Sequence, residues 1–262
     1  MIPTFAAPFD GLLYGSFSLR ANQRLQTRRA EYRHRRRAIR IFDRRRSKAT
    51  ASLYDPNDRG APFKRRPLPP FADQVWGRLA NELLGLGAVR HLVSPNQFHY
   101  AHIGEWAKAF PNAVSWASPR VRQRARARHV NVDFTRDLEA SPPEEWGREI
   151  DQTLFPGGYF KEFIFFHKTS KTLILADTII NIELDKVTEP WRTATKFTGM
   201  YHPYGQIFFG MRLPLFLQRR KAEAAIRKIR TWQPQRILLS HGRCFDADAD
   251  KVIHRIFGEP SR

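Results

Sequence analysis

"KTLILADTIIN", residues 171–181, contains an apolar run from Leu173 to Ala176 that stops at Asp177. The run is rich in Leu and Ile and follows a Thr-Ser-Lys turn at 169–171. It therefore reads as a buried strand with a carboxylate at its carboxyl end. Two other stretches repeat the pattern. "RILLSHG" (236–242) is apolar through Leu239 and then reaches His241 and Gly242. "AVRHLV" (88–93) runs into "SPNQFHYAH" (94–102), which carries His99, Tyr100 and His102. In α/β folds, ligands gather at the carboxyl ends of strands. Taken singly, each residue has an ordinary explanation: Asp177 as a cap, His99 as a satisfied core histidine, His241 as a donor to a backbone carbonyl. Together, a carboxylate and imidazoles following three apolar strands point to a metal site, because borderline ions take N and O ligands together. Gly242 allows the chain behind His241 to turn sharply and approach a bound group.

Working outward, the flanking pattern alternates between strand and helix. "IGEWAKAF" (103–110) reads as a helix that packs Trp106 inward, and "AVSWAS" (113–118) as a strand. "RVRQRARAR" (120–128) is a basic helix or loop. "EIDQTLFPG", "KEFIFFHK" and "KTLILAD" form three strands separated by Pro-Gly-Gly and Thr-Ser-Lys turns. "LQRRKAEAAIRKIRTW" (217–232) is an amphipathic helix with Ala225, Ile226, Ile229 and Trp232 on one side. Asp246 is expected to cap a last helix over "DADKVIHRIFG". Glu144 and Glu145 follow a Pro-Pro pair at a helix start, where they offset the helix dipole rather than form an acid–base pair. "YHPYG" (201–205) reads as a surface turn. "ADQVWGRLANELLGLG" (72–87) has helical spacing with glycines at its end. The class is α/β.

Composition bounds the function. The 262 residues carry 42% hydrophobic residues, enough for a packed core. No apolar run approaches the roughly 20 residues of a membrane span. No signal peptide is read at the N-terminus, and the expected location is cytoplasmic. The one cysteine, Cys244, excludes a disulfide framework and a multi-cysteine zinc site. The net charge of +20 is uneven: residues 1–66 hold 17 Lys/Arg against 5 Asp/Glu. The Arg-rich run 28–48 can make a weak contact with a polyanion or nucleic acid, though a solvated tail is the simpler reading. With the proline-rich stretch 60–71 behind it, residues 1–66 are expected to be a poorly packed basic extension, and 67–262 the folded domain. Residues 39–63 show no alternating strand pattern. A shifted reading frame or misplaced start codon would produce such a segment, and the DNA upstream of codon 67 tests that.

"KTLILADTIIN", a helix and "RILLSHG" together resemble the C-terminal half of the metallo-β-lactamase-like superfamily. There, one strand ends in a metal-bridging aspartate and a later strand ends in Gly-His-Gly or a variant. "SPNQFH…GEW", "EIDQTLFPG…EFIFFHK" and "SHGRCF" are similar to an uncharacterised branch with degenerate metal motifs. The resemblance covers roughly residues 75–258. It implies an αββα sandwich, incomplete or diverged on its N-terminal side. Laid on the superfamily's His-x-His-x-Asp-His motif, Pro95 and Gln97 replace the first two histidines, His99 the aspartate and Tyr100 the last histidine. Gly158 stands where a further histidine follows Pro-Gly. The resemblance therefore implies a mononuclear site with His99, Asp177 and His241 as ligands, and His102 or Tyr100 as a fourth ligand or proton donor. The ion expected is zinc, with iron or manganese as alternatives. The function implied is a metal-dependent hydrolase acting on an unspecified small molecule. Two alternatives stand beside it: a non-catalytic scaffold or binding protein, and a nucleic-acid-associated protein using the basic extension.

Overall fold

The computed structural model describes residues 49–52 (backbone only), 83, 87–130 and 132–258. The Arg-rich run 28–48, the proline-rich stretch 60–71, the expected domain boundary at residue 66 and almost all of the expected helix 72–87 lie outside these residues. The chain divides into two compact units. The first takes residues 1–94 and 98–137, the second residues 95–97 and 138–262.

The first unit is built on a parallel sheet in the order β1 (Ala49–Ser52), β2 (Val89–Ser94), β3 (Val114–Ala117), β4 (Arg136–Asp137). Parallel neighbours need crossovers, and helices α1 (Ile103–Ala109) and α2 (Val121–Ala127) lie on two of them. β2 is buried at every position but Arg90, as expected of a parallel strand covered on both faces. Leu92, Tyr100, Ile103, Trp106, Phe110, Val121 and Phe134 share one apolar cluster. Trp106 stacks on Phe110 within it, with ring centroids 5.5 Å apart. Buried His91 finds a partner in Trp116, whose indole N–H donates to its Nδ1 at 3.1 Å. β1 falls where residues 39–63 show no strand pattern. It pairs in parallel along β2. "ATAS" is too short and too weakly apolar to announce itself, and its pairing comes from a partner distant in the chain.

The second unit has a mixed sheet in the order β10, β7, β6, β5. β5 (Ile150–Phe155), β6 (Glu162–His167) and β7 (Thr172–Ile174) form an antiparallel meander, and β10 (Arg236–Leu238) adds in parallel to β7. β6 is central and buried at every position. A two-stranded ribbon, β8 (Ile179–Ile180) with β9 (Gln206–Ile207), stands apart from this sheet. Among the described residues the unit adds the α-helices α3 (Glu144–Gly147), α4 (Trp191–Thr198), α5 (Phe209–Leu217), α6 (Arg219–Thr231) and α7 (Ala249–Phe257). α6 buries Ala222, Ala225 and Ile229. Beyond its end Trp232 stacks on Phe166, with ring centroids 5.2 Å apart and planes 4° from parallel. Lys228 of α6 reaches the Gln152 carbonyl of β5 at 2.8 Å and the Asp151 carboxylate at 3.1 Å.

The expected cap of the last helix is corrected. Asp248, not Asp246, occupies the N-cap of α7, with a left-handed backbone (φ 55°) and no side-chain cap bond. Its carboxylate turns to Lys251 instead, at 2.8 Å. Aspartate tolerates the left-handed region better than most residues, which suits it to this corner. Among the described residues, no helix is long and apolar enough to cross a membrane.

Candidate metal centre

The site of the second unit is set by the register of two parallel strands. Ile174 of β7 pairs with Leu238 of β10, and Leu175 N–H continues the ladder to Leu238 O at 3.0 Å. Asp177 and His241 each stand three residues beyond that matched pair. Equal spacing from a common register delivers both side chains to the same end of the sheet. His241 Nε2 lies 2.6 Å from Asp177 Oδ1, with the imidazole buried and the carboxylate partly so. This is a charge-assisted hydrogen-bond distance, with the ring N–H donating to the carboxylate.

Gly242 makes this approach possible. Its φ is +92°, and a Cβ there would stand 1.9 Å from the Asn181 carbonyl oxygen. The close contact is used: Asn181 N–H donates to His241 O at 3.0 Å and Arg243 N–H to Asn181 O at 2.9 Å. The Asn181 amide also donates to Arg243 O at 2.6 Å. The segment carrying His241 is thus stitched to the segment that follows Asp177.

Two residues that sequence reasoning did not single out hold Asp177. Glu162, the fully buried first residue of β6, collects the backbone of the Asp177 loop. Ala176 N–H donates to its Oε1 at 2.6 Å; Asp177 N–H and Thr178 N–H donate to Oε2 at 2.6 and 3.1 Å. Asn96 then joins the two carboxylates. Its Nδ2 donates to Asp177 Oδ2 at 2.7 Å and to Glu162 Oε2 at 3.3 Å. Asn96 reaches them because Pro95–Gln97 runs beside the start of β6, with Phe163 N–H bonded to Pro95 O at 2.8 Å. One signal for Glu162 was present in the sequence: a carboxylate opening an otherwise apolar strand, which demands donors when buried. Asn96 had no such signal.

The remaining residues fall as follows. His99, Tyr100 and His102 belong to the first unit, in the turn between β2 and α1, with His99 and Tyr100 buried. His102 occupies the N-cap of α1, and its Nδ1 stands 3.6 Å from Glu105 Oε2. That contact holds the Glu105 carboxyl below its ordinary range. In the second unit, the Thr178 hydroxyl next to Asp177 is buried and has no hydrogen-bond partner among the described residues. His202 lies beside Asn181, Nδ1 to Nδ2 3.4 Å; burial and then the Arg243 charge push its pKa down. Cys244 is half-buried, its thiol directed at the Leu239 carbonyl. The Asp177 carboxylate and the His241 imidazole, side by side at 2.6 Å, are O and N donors of the kind a borderline divalent ion takes together.

No protein-family model matches the chain, and no curated protein matches it. Solved structures similar to it include the DIM-1 metallo-beta-lactamase, at 14% identity over 71% of this chain and 76% of that one, with a TM-score of 0.45. The chemotaxis sensor ODP is similar at 11% identity over 71% and 79%, with a TM-score of 0.46. The flavodiiron protein from Giardia intestinalis is similar at 15% identity and a TM-score of 0.43; 71% of this chain covers 46% of its length.

Proposed function

We propose that the protein is a metal-dependent hydrolase holding one divalent ion with His99, Asp177 and His241. The observation that supports it most directly is the orientation of Asp177. One oxygen faces His241 Nε2 at 2.6 Å and the other is fixed by Asn96 at 2.7 Å, while Glu162 holds the loop backbone. Ligands of catalytic metals are commonly positioned by such outer hydrogen bonds. Covalent linkage supports the third ligand: His99 follows Asn96 by three residues, a reach of at most about 11 Å. Zinc suits this donor set best, with iron or manganese as alternatives. A bound ion would polarise a carbonyl or phosphoryl oxygen and lower the pKa of its water to about 7. Tyr100 follows His99 directly and His102 stands three residues on; one or the other is assigned as fourth ligand or proton donor. The substrate is a small molecule.

One observation favours a second reading, a non-catalytic protein in which Asp177 and His241 serve structure. At 2.6 Å the two groups already satisfy each other through one hydrogen bond, His241 N–H donating to Asp177 Oδ1. Metal content and stability of the wild type, His241→Ala, Asp177→Ala and the double variant separate the two. The hydrolase reading expects close to one ion per chain, lost in each variant. It also expects loss of the ion's contribution to stability, about 2.7 kcal/mol at a free-ion concentration a hundredfold above Kd. A metal-free wild type whose double variant costs less than the two singles combined gives the site to a hydrogen bond alone. Metal retained by both single variants would remove these residues from the ligand set.

A further inference from the structure

The strongest unexplained surface of the second unit is one face of α5. Phe209, Leu213, Phe216 and Leu217 fall at helical spacing, i, i+4, i+7 and i+8, and so share a stripe. Such a stripe normally faces a core. Here all of it but Phe209 faces solvent: Leu213 is 66% exposed, Phe216 75% and Leu217 72%, while Phe209, at 36%, packs edge-on against Phe208 with ring centroids 4.9 Å apart. The helix is not loosely placed. Its other side buries Met211, and Pro214 packs over Gly158, where an added Cβ would meet the proline ring at 2.6 Å. Arg212 fastens α5 to the end of α4, donating to Thr198 O at 2.7 Å. Beside that joint stands Phe197, the most exposed of the large apolar side chains at 92%. Isolated exposed apolar residues are ordinary; four large ones on two tied helices mark a contact surface.

Charge decides what the surface meets. Residues 191–221 contain no Asp or Glu and six Lys/Arg: Arg192, Lys196, Arg212, Arg219, Arg220 and Lys221. The last three follow Leu217 after one residue, Gln218, with Arg219 paired to Glu223 at 2.8 Å and Arg220 and Lys221 exposed. A second copy of the same face would bring basic rim against basic rim. Nucleic acid would satisfy the cations but gives no seat to Leu213 and Leu217, which cannot stack on bases as aromatic rings do. An anionic bilayer accommodates both features: aliphatic and aromatic side chains enter the acyl boundary while Lys and Arg stay at the headgroups.

We propose that α5, with Phe197 at the end of α4, is a docking surface for an anionic lipid membrane. Phe208 N–H is bonded to Thr178 O at 3.2 Å, so the docked helix begins one hydrogen bond from the loop that carries Asp177. The surface does not depend on whether Asp177 and His241 hold metal.

The test uses the full chain carrying Phe216→Trp and vesicles of phosphatidylcholine with or without phosphatidylserine. Its fluorescence is read as the difference from the wild type. With phosphatidylserine present, the added indole emission shifts to the blue and is quenched by brominated acyl chains. With phosphatidylcholine alone it does neither. The triple variant Leu213→Ser, Phe216→Ser, Leu217→Ser, exposed at every changed position, keeps its fold by circular dichroism. It loses vesicle binding by about tenfold or more. Vesicle binding without quenching of the F216W indole would overturn the proposal, because the contact then lies elsewhere on this basic chain. So would a triple variant that binds vesicles as the wild type does, or one whose only change is dissociation of a dimer.

Discussion

Replacing Glu162 by Gln removes one oxygen from a side chain that differs from the wild type in little else. The carboxylate accepts four bonds: Ala176 N–H on Oε1, and Asp177 N–H, Thr178 N–H and Asn96 Nδ2 on Oε2. A glutamine carbonyl can occupy only one of the two oxygen positions. Its best orientation keeps the three bonds of Oε2 and turns the amide NH2 toward Ala176 N–H, donor against donor. The lost charge-assisted bond was worth about 1.5–3 kcal/mol, and each buried donor left without an acceptor costs about 1–3 kcal/mol. The three surviving bonds weaken to neutral strength, roughly half. Against this, removing a negative charge from beside Asp177 relieves repulsion. The net expectation is a loss of about 3 kcal/mol, which for a chain of this size lowers Tm by roughly 6–12 °C. Calorimetric or fluorescence-detected thermal unfolding measures it. Hydrogen exchange at the amides of residues 176–178 localises it, since those protons lose protection first. A Glu162→Gln protein within about 1 kcal/mol of the wild type would refute the reasoning, because carboxylate repulsion would then have been offsetting the hydrogen bonds throughout.

Three further outcomes follow from other residues. Gly242→Ala places a Cβ against the Asn181 carbonyl at a backbone angle alanine resists, and is expected to cost more than about 3 kcal/mol or prevent folding; a soluble variant with unchanged Tm would contradict it. Burial pushes His167 down to about 4, while its Nδ1 contacts Ser170 Oγ at 2.7 Å. The unfolded chain therefore binds a proton at this residue near pH 6.5 that the folded chain refuses until about pH 4, so stability is full above pH 6.5 and falls as pH drops toward 4. With partial solvent screening the loss is about 1–2 kcal/mol, and His167→Gln should flatten that limb of the stability–pH curve; an unchanged limb would assign it to other groups. Trp116→Phe deletes the donor to His91 Nδ1 and should cost about 1–2 kcal/mol in urea unfolding, with a neutral result showing the bond to be dispensable.

The amino-acid sequence by itself determined the local content of this protein. Apolar runs at 88–93, 149–157, 161–168, 171–177 and 236–240 become strands, and the Arg- and Ala-rich periodicity of 217–232 becomes α6, because side-chain alternation and helical spacing are properties of neighbours along the chain. It also singled out Asp177 and His241, since a polar group directly after a buried strand is conspicuous in one dimension. That these two meet was decided by register: β7 and β10, about sixty residues apart, pair with Ile174 opposite Leu238, and equal spacing does the rest. Register depends on long-range hydrogen bonds and packing, which leave no local trace. The same holds for Asn96, a polar residue in a loop until the chain folds it between two carboxylates, and for β1, which is a strand only because β2 offers an edge. The stripe on α5 shows the converse. Apolar residues at helical spacing ordinarily mark a buried face, but the sequence reading picked out no helix here, and the tertiary structure turns this stripe outward with Pro214 and Met211 at the inner positions.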